Sequence, residues 1–223
     1  MMPDMDGFMH AGTPEALVRA AEAEGVRDPR ILEAFRRVRR EGFVPADRIW
    51  EAYEDRPVPI AHDQVTTQPS LVARMIAGLR LSGTERLLEV GTGLGFQTAL
   101  LAQLAGEVLS IERFADLAEA ARANLAAAGI EGVTVVVGDG TLGVPDAAPF
   151  DAIVVSAAAP EVPSPLADQL AEGGRLVHPV GPGGAEIVVA FRKEGGRLVE
   201  DARLVPAHFV PLIGRHGLPD ASE

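Results

Sequence analysis

Apolar positions along the chain change period several times, and each change predicts an element. Thr13-Pro14-Glu15 places a hydroxyl before a proline suited to the first helical position, and Leu17 and Ala20-Ala21 then recur at helical spacing. Asp28-Pro29-Arg30 predicts a second helix, with Ile31, Phe35 and Val38 on one face. Residues 41–68 lose that periodicity and carry Pro45, Pro57 and Pro59, so they predict a long loop, kept ordered by Phe43, Trp50, Tyr53, Val58 and Ile60. A helical stretch follows over residues 71–79. Short apolar runs then alternate with helical pattern: Leu87-Leu-Glu-Val90, Val108-Leu-Ser-Ile111, Val133-Thr-Val-Val-Val137, Phe150-Asp-Ala-Ile-Val-Val155 and Arg175-Leu-Val-His-Pro-Val180. Residues 97–105 predict the helix after the first run, and residues 122–128 continue another that Gly129 closes. Residues 163–170 predict a short helix stopped by Gly173-Gly174, and residues 186–192 and 197–200 flank a Glu194-Gly-Gly196 turn as an antiparallel hairpin. Alternating strands and helices imply an α/β fold on a mostly parallel sheet. Residues 1–13 and 215–223 are expected to be loose ends.

The stretch that organises the chain is residues 87–95, Leu-Leu-Glu-Val-Gly-Thr-Gly-Leu-Gly. A strand that runs into a glycine turn and then a helix brings backbone amides close to a ligand, because residues without a β-carbon allow both the sharp turn and the approach. The spacing Glu-x-Gly-x-Gly-x-Gly differs from the nicotinamide pattern Gly-x-Gly-x-x-Gly. Glu112 ends the second apolar run about 20 residues past the turn, where nucleotide-binding sheets place a carboxylate for ribose hydroxyls. The third run ends in Gly138-Asp139-Gly140. Each of these strands thus delivers a polar or glycine group at its carboxyl end, the ligand-binding edge of an open α/β sheet.

Composition narrows the partners. In 223 residues, 47% apolar and 23% charged describe a globular chain, and a formal charge of −12 repels phosphate backbones, so no nucleic-acid partner is expected. The doublets Arg36-Arg37 and Arg39-Arg40 read as a solvated helix face. Cysteine is absent, and the five histidines, His10, His62, His178, His208 and His216, show no short ligand spacing, so no metal site is expected. The amino terminus lacks a basic apolar signal and no run approaches about 18 apolar residues, from which a cytoplasmic protein without membrane partners is expected.

With these motifs in place, the sequence resembles the S-adenosylmethionine-dependent methyltransferases of the Rossmann-like kind, and within them the protein-L-isoaspartate O-methyltransferases. The resemblance lies in Leu88-Glu-Val-Gly-Thr-Gly-Leu-Gly-Phe-Gln97, Gly138-Asp-Gly140, Ala148-Pro-Phe-Asp-Ala-Ile-Val-Val-Ser-Ala-Ala-Ala159 and Gly173-Gly-Arg-Leu-Val-His-Pro-Val-Gly181, and runs from Ile31 to Gly214. It implies a seven-stranded sheet in an α/β/α sandwich with a small N-terminal helical extension. Residues 14–80 would supply N-terminal helices and the active-site loop, and residues 81–214 the cofactor-binding core of the same domain. S-adenosyl-L-methionine would be the cofactor, with Glu89, Gly91, Thr92, Gly93 and Gly95 around its amino-acid end, Glu112 on the ribose, and Asp139 with Gly140 at the adenine. The partners would be isoaspartyl-containing proteins and peptides, bound by a monomer.

The segment Gln64-Val-Thr-Thr-Gln-Pro69 is similar to the family's Gln-Thr-Ile-Ser-Gln-Pro, so the family's active-site serine falls on Thr67, with Val65 a second departure. Thr67 is also placed to cap the helix that follows. Residues 58–61, 156–159 and 209–211 are candidates for the substrate rim, and Ile60, Ala61, Thr66, Gln68, Ala157, Ala158, Val210 and Pro211 are the expected substrate residues. The small residues of 156–160 lack the Asn- or Asp-Pro-Pro-aromatic segment of amine methyltransferases and suit an oxygen nucleophile. An α-carboxylate is ionised near neutral pH, with a reference pKa of about 3.3–3.7, so no general base is required. Three rivals stand beside this reading. One is a relative methylating aspartate in ribosomally made peptides, one a donor-binding protein without turnover, and the last a nicotinamide dehydrogenase, disfavoured by the glycine spacing.

Overall fold

The structure is a computed structural model describing residues 12–181 and 184–219; the expectations for residues 1–11 and 220–223 lie outside the described residues. Two helices, α1 (Pro14–Ala23) and α2 (Pro29–Arg37), open the chain. The Asp28 side chain caps α2 by accepting from the Arg30 amide. Thr13 precedes α1 with extended backbone but makes no side-chain cap, which corrects that expectation. The long loop is ordered, and it contains 3₁₀ turns at Arg40–Phe43 and Ala46–Glu51 and a small hairpin of β1 (Val58–Pro59) with β2 (Val65–Thr66). Helix α3 (Pro69–Leu79) has Gln68 at its N-cap position, so Thr67 does not cap it.

The core then alternates β3 (Arg86–Val90), α4 (Phe96–Ala102), β4 (Glu107–Glu112), α5 (Ala115–Ala127), β5 (Val133–Val137), β6 (Phe150–Val155), α6 (Ser164–Gln169) and β7 (Leu170–Val180). The hairpin β8 (Glu186–Glu194) and β9 (Arg197–Ala207) completes a seven-stranded sheet in the order β5-β4-β3-β6-β7-β8-β9. The first five strands run parallel, and β8 lies antiparallel between β7 and β9. Side chains of successive strand residues alternate between two apolar clusters. Leu87, Val108, Ala152 and Val154 join Leu17, Phe35, Phe43 and Met75 of the N-terminal segments on one face. Leu88, Leu109, Ile153 and Val155 join Leu166 and Leu212 on the other. The N-terminal helices therefore share their apolar core with the sheet. Gly78 lets α3 lie close, since a β-carbon there would stand 2.7 Å from Leu204 Cδ1 and 3.1 Å from Val177 Cγ2.

Two boundary expectations change. Gly173-Gly174 does not follow a helix; α6 ends at Gln169 and the glycines fall inside β7, where the pairing with β6 shifts register between Phe150 and Ala152. Residues 215–219 are not loose either. The Arg215 amide donates to Asp139 Oδ2 at 2.8 Å, the His216 amide to Thr141 Oγ1 at 3.0 Å, and the Leu218 amide to the Leu212 carbonyl at 2.8 Å.

His178 on β7 is fully buried beside the Ala157 backbone, and neither ring nitrogen has a well-placed partner among the described residues. Burial lowers its pKa from 6.5 to about 4. Folding thus favours the neutral ring, so its contribution is present above pH 6.5 and is lost as pH falls through 4. Relative to His178→Leu, the parent chain should lose about 1.4 kcal/mol in urea unfolding free energy between pH 7.5 and 5.5; a pH-independent difference would contradict the assignment of a buried neutral imidazole.

Candidate active site

Strand order reverses between β3 and β6, and the crevice at their carboxyl ends is the natural ligand site of such a sheet. The Ser156 amide donates to the Val90 carbonyl at 2.9 Å, which sets the end of β6 beside the start of the glycine turn. Gly91, Gly93 and Gly95 hold φ of +95°, +55° and +95°, a region that side chains with a β-carbon rarely enter. A cavity of about 860 Å³, its open mouth included, lies over this turn and is lined by Gly91, Gly93, Glu112, Gly140, Thr67 and Ser156, among others. Gly95 does not face it; it starts α4 and packs on Ala121 and Leu125 of α5.

Glu112 closes β4 at the cavity wall. One oxygen accepts from the Gly93 amide at 2.9 Å and the other from the Phe114 amide at 3.1 Å, so each keeps a lone pair for another donor. A carboxylate held rigidly by two amides, with acceptor capacity to spare, fits a vicinal diol such as ribose. The rim above it comes from the β1–β2 hairpin. Ile60 lies against Gly93, and His62 stacks on Phe114 at 4.1 Å between ring centroids while its Nε2 pairs with the Asp116 carboxylate at 2.8 Å. Sequence reasoning left His62 without a role; it lines neither cavity, and its contacts to Phe114 and Asp116 are tertiary pairing.

Glu89, near the end of β3, is fully buried and does not reach the cavity, which corrects the expectation that it contacts the cofactor. Its Oε1 accepts from Gln97 Nε2 at 3.0 Å, and its Oε2 accepts from Ser110 Oγ at 2.6 Å and from the Thr98 hydroxyl. Ser110 is its register partner on β4, and the hydroxyls of Ser110 and Thr92 are themselves hydrogen bonded. Thr92 therefore turns its hydroxyl inward and is pinned to the sheet. One carboxylate thus ties together the glycine turn, β4 and the first turn of α4. Gln97, Thr98 and Ser110 were missed by sequence reasoning, although Ser110 signals itself as a polar residue inside a buried strand.

A second cavity opens beside the first and is lined by Glu24, Arg74, Gln68, His208 and Phe209, with other residues. Four residues line both cavities: Val65, Thr67, Ser156 and Val210. The Thr67 hydroxyl makes no hydrogen bond to another described residue, which leaves it available at this boundary. Arg40 fixes the backbone there. Its buried guanidinium donates to the carbonyls of Ala52, Glu54, Arg56 and Thr67 and to Thr66 Oγ1, and it lies 5.5 Å from the centre of the Phe96 ring. Burial lowers its pKa to about 10, which leaves it charged at neutral pH. Thr66 lines the first cavity with its hydroxyl turned to Arg40, while Gln68 lines the second with its amide held by Asp55 and Ser70.

The remaining expected residues divide. Ile60, Ala157, Val210 and Pro211 line the first cavity. Ala158 does not: its amide and carbonyl are consumed by the Val210 carbonyl and the Leu212 amide, a pairing that brings the last segment over the site. Ala61 is exposed at the hairpin tip and lines neither cavity. Asp139 also stands outside; Oδ1 accepts from the amide and hydroxyl of Thr141 and Oδ2 from the Arg215 amide, which holds its carboxyl below the usual range against the cost of burial. Of the Asp139-Gly140 pair, Gly140 faces the cavity.

The profile of the family described as protein-L-isoaspartate(D-aspartate) O-methyltransferase matches residues 13–217. The chain belongs to this family. The protein-L-isoaspartate O-methyltransferase of Methanoculleus marisnigri is 53% identical over 195 residues, 87% of this chain and 88% of the relative. Protein-L-isoaspartate O-methyltransferase 2 of Marinobacter nauticus is 50% identical over 196 residues, covering 87% and 90%. A solved protein-L-isoaspartate O-methyltransferase aligns with a TM-score of 0.80 at 30% identity over 92% of this chain and 67% of that one. A Plasmodium falciparum structure in complex with S-adenosyl-L-homocysteine shares the fold at a TM-score of 0.78 and 23% identity, over 91% of this chain and 99% of that one. The family uses S-adenosylmethionine, and the chain is a methyltransferase with a Rossmann-like sheet.

Burial raises the Glu89 pKa from 4.5 to about 7, against the three donors that favour its charge. The folded state thus prefers the protonated form, and this contribution is present below pH 4.5 and lost as pH rises through 7. Relative to Glu89→Gln, the parent should lose about 2 kcal/mol of unfolding free energy between pH 5.5 and 8.5 in urea titrations. A difference that does not move with pH would mean that Glu89 stays ionised throughout.

Proposed function

We propose that this chain carries out its family's reaction at the boundary of the two cavities, transferring a methyl group to the free α-carboxylate of isoaspartyl residues in damaged proteins. The observation that carries this reading is the shared lining of Val65, Thr67, Ser156 and Val210, which joins a cavity of about 860 Å³ to a second of about 1060 Å³, room for a nucleoside beside a peptide. Bound in the crevice, S-adenosylmethionine supplies a methyl carbon already activated by a sulfonium. Glu112 holds the ribose hydroxyls, and Gly91 and Gly93 let the turn lie against the amino-acid end. Gly140 gives room beside the adenine, and Asp139 serves by locking the loop that carries it.

The acceptor carboxylate is ionised near neutral pH and needs no base. Thr67 donates its hydroxyl proton as a hydrogen bond to one carboxylate oxygen and keeps it, so the other oxygen is presented to the methyl carbon. Val65 and Val210 exclude water at the boundary. Water stabilises the separated opposite charges more than the neutralising transition state, so a dry, oriented site lowers the barrier, with positioning worth up to about 7–11 kcal/mol in favourable cases. Residues 209–211 close the groove from the carboxyl-terminal side. We also read the enzyme as a cytoplasmic monomer: one chain lines both cavities, and light scattering should give a mass near 23.4 kDa, with a dimer contradicting this.

The test is a matched pair of peptides, one with a β-linked and one with an ordinary aspartate. Methyl ester should form on the first alone, and equal labelling of both would overturn the assignment. Thr67→Val keeps the shape but removes the hydroxyl. It should lower kcat about 10- to 100-fold, the scale of one hydrogen bond to a charged group, while binding of S-adenosylhomocysteine by calorimetry stays within twofold. An unchanged kcat would remove Thr67 from the reaction.

A further inference from the structure

We infer that Ser156 is a second catalytic hydroxyl, donating to the acceptor carboxylate from the end of β6; this rests on the reading of the boundary given above. Ser156 is the one hydroxyl in the run Ser156-Ala-Ala-Ala-Pro160, and it sits where β6 ends beside Gly91, at the reversal of strand order. It lines both cavities, as Thr67 does. Its Oγ accepts from Gln97 Nε2 at 2.9 Å. The same amide nitrogen donates to Glu89 Oε1 at 3.0 Å, so both of its hydrogens are committed, one to the carboxylate and one to the serine.

While Glu89 is ionised, that arrangement directs the serine's proton away from Gln97. The ionised carboxylate faces the amide as an acceptor, so the Gln97 nitrogen stands toward Ser156 and the Gln97 oxygen is buried without a partner among the described residues. A hydroxyl that receives from an amide has its own O–H left to give, and no described residue takes it. Among the four boundary residues the hydroxyl carriers are Thr67 and Ser156, and the other pair is aliphatic. Two donors on one carboxylate select its plane as well as its position. An α-carboxamide, which carries N–H groups of its own and no charge, accepts less strongly from the same pair. In the transfer one O–C bond forms and one C–S bond breaks with its electron pair left on sulfur. No proton moves, and both hydroxyls keep theirs. Sequence reasoning placed residues 156–159 on the substrate rim but singled out Ala157 and Ala158, not the serine.

The experiment compares the parent with Ser156→Ala and Ser156→Thr. For each, S-adenosylhomocysteine affinity is measured by calorimetry, kcat and KM on an isoaspartyl peptide, and inhibition by the same peptide as its α-carboxamide. Ser156→Ala should lower kcat/KM about tenfold, bind S-adenosylhomocysteine within twofold of the parent, and narrow the preference for carboxylate over carboxamide. Ser156→Thr should recover most of the loss. Combined with Thr67→Val, the effects should be less than additive, as expected of two donors acting on one group. An unchanged kcat/KM in Ser156→Ala, or an equal loss of affinity for carboxylate and carboxamide peptides, would overturn the role of Ser156 while leaving the isoaspartyl assignment intact. A parent that fails to methylate the isoaspartyl peptide would overturn both.

Discussion

The molecule depends on a carboxylate that the sheet has swallowed. Glu89 lies near the end of the inner strand β3 and is fully buried, where an unpaired polar group would cost several kcal/mol. Its partners come from three places: the neighbouring strand through Ser110, the helix that follows the glycine turn through Gln97 and Thr98, and the turn itself through Thr92 by way of Ser110. Satisfying this one group therefore sets where the turn sits relative to both strands. Through Gln97 the same network reaches Ser156 at the end of β6. The carboxylate at the centre of this cluster stays behind the crevice wall, while Thr92, Gln97 and Ser156 carry the network to its lining.

Around that anchor the site is built of glycines, hydroxyls and aliphatic walls, without a paired acid and base. The chemistry explains this economy. A carboxylate nucleophile comes ready ionised, and its partner comes ready activated, so the protein is left to orient two groups and exclude water. Arg40 does the heavier structural task on the substrate side. A single guanidinium gathers the carbonyls of a loop that would otherwise bury them unpaired, and it sets the backbone of Thr66 and Thr67 at the cavity boundary. The charge is offset by Glu51 and Asp55 nearby.

What the sequence revealed was local chemistry. The glycine turn, Glu112 and the alternation of strand and helix are written within a few residues each, and they sit where their pattern implies. What it concealed was long-range pairing. Glu89 reads as a ligand contact until its register with Ser110 is known. Asp139 looks like a cavity acceptor, but its oxygens accept from Thr141 and from an amide 76 residues further on, outside the cavity lining. The pair Gly173-Gly174 resembles a helix stop because such a stop is local; the neighbouring β6 instead draws it into a strand as an irregularity. Ala158 was expected to meet substrate, and the returning chain at Val210 and Leu212 takes its amide and carbonyl instead. In each case the residue type was informative, and its partner lay too far along the chain to be read.

The most direct measurement of the central claim is a crystal structure with S-adenosylhomocysteine and an isoaspartyl peptide bound together. The account predicts the ribose on Glu112, the sulfur at the boundary of the two cavities, and the peptide's free carboxylate within hydrogen-bond distance of the Thr67 hydroxyl. A nucleoside seated away from Glu112, or a carboxylate held far from Thr67, would contradict it.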